Sequence, residues 1–231
     1  QAAMSSQDSS QGEGIRILTE TVASPTLAAQ LRDLLERYPR AQWVQWEPLG
    51  RHNAREGSRI AFGEYVDAQY DIAKATIILS LDADFLCTGA AGLKHARAFA
   101  SRRRVDGDRA LANRLYAVES TATNTGSRAD HRLPLRPSEI EAFTRSLAER
   151  LGVLGAALAP TIPAAATVWV PLLVSELQAH RGKCLVIAGD GQPPIVHALA
   201  HAMNEVLGNV GSTVVYTQTA EAQPTNQLDA L

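Results

Sequence analysis

Short apolar runs alternate with amphipathic stretches along most of the chain. The runs predict β-strands at 15–19, 42–46, 76–81, 114–119, 183–188 and 212–216. Between them, apolar residues recur at helical spacing, which predicts α-helices at 26–37, 93–103, 137–151, 167–179 and 194–207. Alternation of helices with buried β-branched strands is typical of a parallel sheet. The pattern therefore predicts an α/β fold, with a parallel sheet covered by helices on both faces.

Composition divides the chain into four segments. Residues 1–14 are polar and predict a disordered lead-in. Residues 15–152 predict a Rossmann-like α/β domain, and residues 167–231 predict a second α/β portion that is truncated at its C-terminus. The alanine- and proline-rich stretch at 153–166 predicts a linker or insertion between them. Because the chain stops in what reads as a rising helix, we expect a piece of a longer protein.

Two local signals mark helix starts, and one stretch lacks a regular pattern. Ser24 and Pro25 predict an N-cap and a first-turn proline for the helix at 26–37. Ser138 and Glu141 predict a capping box for the helix at 137–151. Residues 48–64 are polar and basic without apolar periodicity, so we expect an irregular loop there.

Charge and hydropathy narrow the classes of partner. The formal net charge of the 231 residues is −2, which gives no reason to expect nucleic acid. No apolar run approaches the roughly 18 residues of a membrane span, so we expect no direct span in this chain. Residues 1–14 also lack the basic start and the apolar block of a signal peptide.

Two cysteines, Cys87 and Cys184, lie far apart, and the sequence contains no C-x-x-C motif. A cysteine-ligated iron–sulfur cluster or a structural zinc site within the chain is therefore not expected. We expect two buried free thiols, with a disulfide between them as the alternative.

Candidate binding residues follow two of the predicted strands. Gly189-Asp190-Gly191 lies between a strand and a helix, where backbone amides and the helix dipole can hold a phosphate. The alternative is a tight turn, because Pro193 and Pro194 interrupt the glycine pattern and Pro194 removes an amide donor. Asp82 and Asp84 follow the strongest apolar strand, at the edge where open sheets bind ligands. They predict a cation site, an acid–base pair or simply a capped loop.

Two further clusters have alternative interpretations. His197, His201 and Glu205 recur at every fourth position and share one helix face, which predicts either a metal site or a partly exposed polar stripe. The run 102–104 is Arg-Arg-Arg and closes a predicted helix, as a solvated end or as a docking patch. No nucleophile, phosphate-loop or triad motif is present, so motifs alone indicate no active site.

Several segments follow one another in a recognisable order. They are the strand and helix at 15–37, Phe62-Gly63, residues 71–75 leading into the strand at 76–81, the helix from His95, Glu119 with 121–126, RADHRLPLRP at 128–137, and 188–211, which contains G-N-V-G. In this order they resemble the molybdopterin oxidoreductase family, whose G-N-I-G is similar to Gly208-Asn209-Val210-Gly211. The resemblance covers most of 15–217 and implies that family's domain II or III type of Rossmann-like fold.

Departures from the family's pattern fall on the cofactor-binding positions. The loop that supplies a metal ligand in cofactor-bearing members has no cysteine here, and Ser58 is its only hydroxyl. The strand that ends in G-x-N-P in the family continues here into Asp82-Ala83-Asp84, and Glu119 stands for the ribose-binding aspartate. The resemblance thus implies vestigial cofactor-binding positions without a bound molybdopterin guanine dinucleotide, at Gly189, Asp190, Gly191, Asp82, Asp84 and Glu119.

One branch of the family has a similar altered pattern, namely the large iron–sulfur protein of alternative complex III, a quinol:electron acceptor oxidoreductase. The stretches at 79–86, 119–136 and 189–208 are similar to that protein. The resemblance implies a non-catalytic scaffold domain, with iron–sulfur clusters in parts of the protein missing here. It also implies cytochrome c and quinol-oxidising membrane subunits as partners, at the periplasmic face. The alternatives are a fragment of an active molybdopterin enzyme with Ser58 as metal ligand, and a nucleotide- or small-ligand-binding domain that uses 189–191.

Overall fold

A four-stranded parallel sheet organises the larger part of the fold. The computed structural model describes residues 6–104, 112–155 and 161–230. Its elements are, in order, β1 (Arg16–Thr19), α1 (Pro25–Arg37), β2 (Gln42–Gln45), α2 (His52–Phe62), β3 (Val66–Tyr70), β4 (Ile77–Leu81), α3 (Gly92–Ser101), β5 (Arg114–Glu119), α4 (Asn124–Ser127), β6 (His131–Pro134), α5 (Pro137–Arg150), α6 (Ala164–Ala179), β7 (Cys184–Ala188), α7 (Pro194–Val206) and β8 (Val214–Gln218). The sheet has the order β6–β5–β4–β7, and every neighbouring pair is parallel.

Helices cover both faces of this sheet, which confirms the predicted Rossmann-like α/β architecture. On one face, Leu79 of β4 shares a core with Phe143 of α5 and with side chains of α6 and α7. On the other face, Ile78 shares a second core with Phe99 of α3. All residues of β4 are buried, as expected for a central strand that is covered on both sides. Among the described residues, no helix has both the length and the apolar character to cross a bilayer.

The chain divides into two compact units, one from Gln1–His52 with Gln218–Leu231 and one from Asn53–Thr217. The predicted linker at 153–166 coincides with neither limit of these units, and β7, which follows that linker, pairs with β4. Residues 156–160 of the predicted linker lie outside the described residues, and α6 begins at Ala164.

The smaller unit joins α1 to a pair of parallel strands, β1 and β2. Ser24 accepts a hydrogen bond from the Leu27 amide and Pro25 occupies the first turn, so the predicted start of α1 is confirmed. Within the predicted lead-in at 1–14, residues 6–14 form turns, and the Tyr38 hydroxyl donates to Asp8 at 2.7 Å. Residues 1–5 lie outside the described part of the chain.

Side chains close the outer edge of β7. Asn204 accepts from the Val186 amide at 3.0 Å and donates to the Val186 carbonyl at 2.8 Å, as a neighbouring strand would do. Asn209 accepts from the Cys184 amide, and the Thr213 hydroxyl donates to the Cys184 carbonyl. Unpaired edge strands can template association with other chains. Asn209 of the G-N-V-G segment therefore has a structural role at this edge.

The prediction of an irregular loop at 48–64 is wrong, because residues His52–Phe62 form α2. The residues that α2 buries are Gly57 and Ser58, while its large apolar residues Ile60 and Phe62 are exposed, so the sequence shows no periodic apolar stripe that would have revealed the helix. A Cβ at Gly57 would overlap the Cβ of His197. Glycine therefore allows α2 to approach α7 closely.

The capping box of α5 also differs from the prediction. Glu139 accepts from the Arg136 amide at 2.9 Å, so Arg136 is the N-cap and Ser138 lies inside the helix. Pro137 takes the first helical position, where its fixed φ fits and its missing N–H costs nothing.

Both cysteines are free thiols, so the disulfide alternative is wrong. Cys184 is buried as predicted, whereas Cys87 is exposed in the loop after β4, against the prediction. Burial raises the pKa of the Cys184 thiol to about 12, so this group stays protonated at neutral pH.

We expect a disulfide reagent such as dithionitrobenzoate to modify Cys87 in the native protein and Cys184 only after denaturation, because the thiolate is the reactive form. The measurement is the absorbance of the released thiol before and after guanidinium chloride is added. A Cys87→Ser variant should show no native reaction. Rapid modification of that variant without denaturant would contradict the buried position of Cys184.

Candidate functional site

The sheet order creates a topological switch point between β4 and β7. The chain passes from β4 to β5 and β6 on one side and then continues with β7 on the other side. In open parallel sheets, ligands bind in the crevice outside the carboxyl ends of the two strands at such a point. The residues that follow these strands are 82–84 and 189–191. The structure thus brings together two groups of candidates that the sequence predicted separately.

Asp82 links three loops at this edge. Its φ of +56° lies in the left-handed region, which aspartate tolerates better than most residues. One carboxylate oxygen accepts from the Ser120 amide at 2.9 Å, and the other accepts from Nε2 of Gln192 at 2.9 Å. Ser120 follows β5 and Gln192 follows β7. The carboxylate therefore holds these two loops to the end of β4.

Asp84 fixes the start of the short helix α4. Its Oδ1 accepts from both the amide and the hydroxyl of Thr125, each at 2.8 Å. Thr125 is fully buried, and its hydroxyl oxygen also accepts from the Leu86 amide at 3.2 Å. This arrangement matches the capped-loop interpretation of Asp84.

Glu119, at the end of β5, is only 2% exposed. Its carboxylate accepts from the Thr123 hydroxyl at 2.6 Å and forms an ion pair with Arg132 of β6. A buried carboxylate is tolerated because it is both paired and hydrogen-bonded. A Cβ at Gly126 would overlap this carboxylate, so glycine is needed for the close packing of α4. Glu119 thus joins β5, β6 and α4.

The segment Gly189-Asp190-Gly191 forms a tight turn with few free donors. The Gly189 amide donates to the Leu81 carbonyl at 2.9 Å, and the Gln192 amide donates to the Gly189 carbonyl at 2.9 Å. Pro193 and Pro194 have no N–H groups to offer. A phosphate site at a helix N-terminus uses such amides, and here several are bonded or missing. The geometry therefore matches the tight-turn interpretation of this segment.

Bonds within the protein occupy most of the polar groups that face the crevice. The carboxylates of Asp82, Asp84 and Glu119 each accept hydrogen bonds from residues of the surrounding loops. Within the described residues, Oε1 of Gln192 is buried without a hydrogen-bond partner. It is an acceptor that remains open to a small donor such as water.

Ser58, the alternative metal ligand, is buried within α2. Its hydroxyl donates to the Arg55 carbonyl at 2.8 Å and accepts from the Val66 amide at 3.2 Å. Only 1% of the residue is exposed. The serine therefore joins α2 to the start of β3.

His197, His201 and Glu205 share one side of α7, as the spacing predicted, but their environments differ. His197 is buried, His201 is half-buried and Glu205 is exposed. The Nδ1 atom of His201 lies 3.0 Å from the Tyr216 hydroxyl, and its ring lies beside Phe62. Among the residues described, no three or more His, Cys, Asp or Glu side chains are placed to hold a metal ion.

Burial, and then the nearby His197, lower the pKa of His201 to about 4. In the unfolded chain a histidine has a pKa near 6.5, so the unfolded state binds more protons between these two values. We therefore expect the stability to be complete above about pH 7 and to fall, by about 3 kcal/mol from this group, as the pH drops towards 4. Denaturant unfolding at several pH values measures this loss. A His201→Phe variant should show a shallower decline, and an unchanged decline would contradict the assignment.

No protein-family model and no curated protein matches this chain. The geometry nevertheless identifies residues that sequence reasoning missed. Gln192, Thr123, Thr125 and Arg132 supply the partners of the three carboxylates. All four residues lie within the segments that resemble the family, and this position was the available signal.

Proposed function

We propose that this chain is a non-catalytic, molybdopterin-oxidoreductase-like scaffold domain within a respiratory quinol:electron acceptor oxidoreductase. It carries no cofactor. Its partners are cytochrome c and quinol-oxidising membrane subunits, and its place is the periplasmic face of the membrane. The proposal rests on the order of family-like segments and on the chemistry of the switch-point crevice.

The observation that carries this proposal is the bonding of Asp82, Asp84 and Glu119. Each carboxylate stands where a Rossmann-like fold recognises a ligand, and each is bonded to neighbouring loops instead. These structural roles argue against a molybdopterin guanine dinucleotide at this edge. A crevice whose polar groups stabilise the fold supports a domain that serves assembly.

The two alternatives find less support in the geometry. Ser58 is buried in hydrogen bonds to the backbone, which argues against a role as metal ligand. The turn at Gly189-Asp190-Gly191 is followed by two prolines and has few free amides, which argues against a phosphate site.

Thermal unfolding in the presence of nucleotides tests the central step of this argument. A crevice with a dissociation constant of about 50 µM would gain about 2.7 kcal/mol of stability at about 5 mM nucleotide. We expect GMP, GDP and ATP at that concentration to leave the melting temperature within about 1 °C of its value without nucleotide. A rise of several degrees with a guanine nucleotide would overturn the proposal of an empty scaffold.

A Gln192→Leu variant serves as the matched control for any rise that is seen. It removes both the bond to Asp82 and the open acceptor at the crevice. A nucleotide effect that is lost in this variant would place the ligand at the switch point, whereas an effect that persists would place it elsewhere.

A further inference from the structure

An open groove of about 930 Å³ runs along the outward side of α3. Leu93, Lys94, Arg97 and Ala98 line the groove from the helix, and Ala73 lines it from the turn before β4. The helix residues are spaced so that they share one side of α3. The groove has no lining residue in common with the switch-point crevice.

The charge around this groove is positive. Lys94, Arg97 and Arg102 line it, no aspartate or glutamate does, and neither Lys94 nor Arg97 has an ion-pair partner among the described residues. Arg102 donates a hydrogen bond from Nη1 to the Ala73 carbonyl at 2.6 Å. Its Nε is buried and has no hydrogen-bond partner among the described residues. Arg103, by contrast, is paired with Asp130. Three uncompensated cations in one groove attract an anionic ligand.

Much of the groove lining is apolar. Alanines at 73, 90 and 98 belong to it, and Leu93 is 87% exposed beside the cations. Single exposed apolar residues are common on protein surfaces. Here, however, a ligand that covers Leu93 also comes within reach of Lys94 and Arg97. The small alanine side chains allow the main chain of a ligand to approach closely.

We propose that this groove binds an acidic segment of a partner protein, whose carboxylates meet Lys94, Arg97 and Arg102 while an apolar side chain covers Leu93. The ten residues of α3 span about 15 Å, the length of nearly three turns of a partner helix or of about five extended residues. No Trp, Tyr or Phe lines the groove, whereas membrane-binding faces carry such rings at the headgroup level. The inference stands on the chemistry of the groove and does not require the respiratory assignment.

Fluorescence anisotropy with a labelled peptide tests the proposal. The probe is a helical peptide of about twelve residues with glutamate and leucine on one face, titrated with the full chain at low ionic strength. The groove variant is Lys94→Glu/Arg97→Glu. The matched control, Arg150→Glu/Arg181→Glu, makes the same charge change at exposed positions outside the groove. Thermal unfolding confirms that both variants are folded.

We expect the affinity of the wild-type chain to fall with added salt, the groove variant to lose at least about tenfold, and the control to stay within about twofold. A Leu93→Ser variant should also bind more weakly. Equal loss in the groove and control variants, or no binding by the wild-type chain, would overturn the proposal. A further outcome is that the chain binds phosphatidylglycerol vesicles more strongly than the peptide and loses that binding in the groove variant. That result would overturn the proposal and identify a lipid surface as the ligand of the groove.

Discussion

Replacement of Asn204 by leucine is expected to lower the free energy of unfolding by about 4 kcal/mol. The Asn204 amide bonds both the N–H and the carbonyl of Val186, and its oxygen also accepts from Nδ2 of Asn209. Asn204 is 1% exposed, so water cannot replace these bonds. Leucine has a similar size but would leave three buried polar groups without partners. Each such group costs about 1–3 kcal/mol.

Urea unfolding followed by circular dichroism measures this loss. Glu205→Gln is the matched control, because Glu205 is the next residue of α7 and is exposed. We expect the control to change stability by less than about 0.5 kcal/mol. If Asn204→Leu cost no more than the control, the side chain would not be a substitute partner for the edge of β7.

The Gly189→Ala substitution is expected to cost about 3 kcal/mol. A Cβ at this position would overlap the carbonyl oxygen and carbon of Asp82 and would crowd the Cα of Ala83. All of these atoms belong to the backbone, so no side-chain rotation can relieve the overlap. The end of β7 would have to move away from the end of β4, which weakens the bond between Gln192 and Asp82.

Gly191→Ala provides the control within the same turn. A Cβ at Gly191 would meet no atom within 4 Å, and the residue is exposed. Its effect should lie within about 0.5 kcal/mol of zero, because alanine there adds no contact and only restricts the unfolded chain. Melting curves of the two variants side by side give the comparison. Similar losses of stability in both variants would show that the turn is sensitive to any side chain. The close approach of Gly189 to Asp82 would then not account for the effect of Gly189→Ala.

The sequence was sufficient to predict a parallel sheet and its strands β4, β5 and β7, but it predicted neither β6 nor the strand order that creates the switch point. Central parallel strands are continuous apolar runs, and β5 lies at the predicted residues Arg114–Glu119. Asp82 and Asp84 were expected at the carboxyl edge of the sheet and lie there, and the turn after β7 lies at the same edge because parallel strands share it. Predictions that depended on local hydrophobic pattern were therefore reliable for buried strands.

The bonding state of the candidate residues had no local signal. Asp84 bonds Thr125 across 41 positions of sequence, and Asp82 bonds Gln192 across 110. A carboxylate that binds a ligand and one that holds a loop look alike in sequence, because only the folded neighbours distinguish them. The helix α2 escaped prediction for a related reason, since the space that Gly57 leaves is filled by His197 of a distant helix.

Purification of the protein from the membranes of its native host, in mild detergent, tests the central proposal most directly. The measurements are molybdenum and tungsten by mass spectrometry, pterin by fluorescence after oxidation, and the haem c content and protein composition of the same fraction. We predict co-purification with haem c and with quinol-oxidising membrane subunits, and molybdenum and pterin far below one per chain. Stoichiometric molybdenum and pterin in a fraction that lacks those subunits would contradict the scaffold proposal.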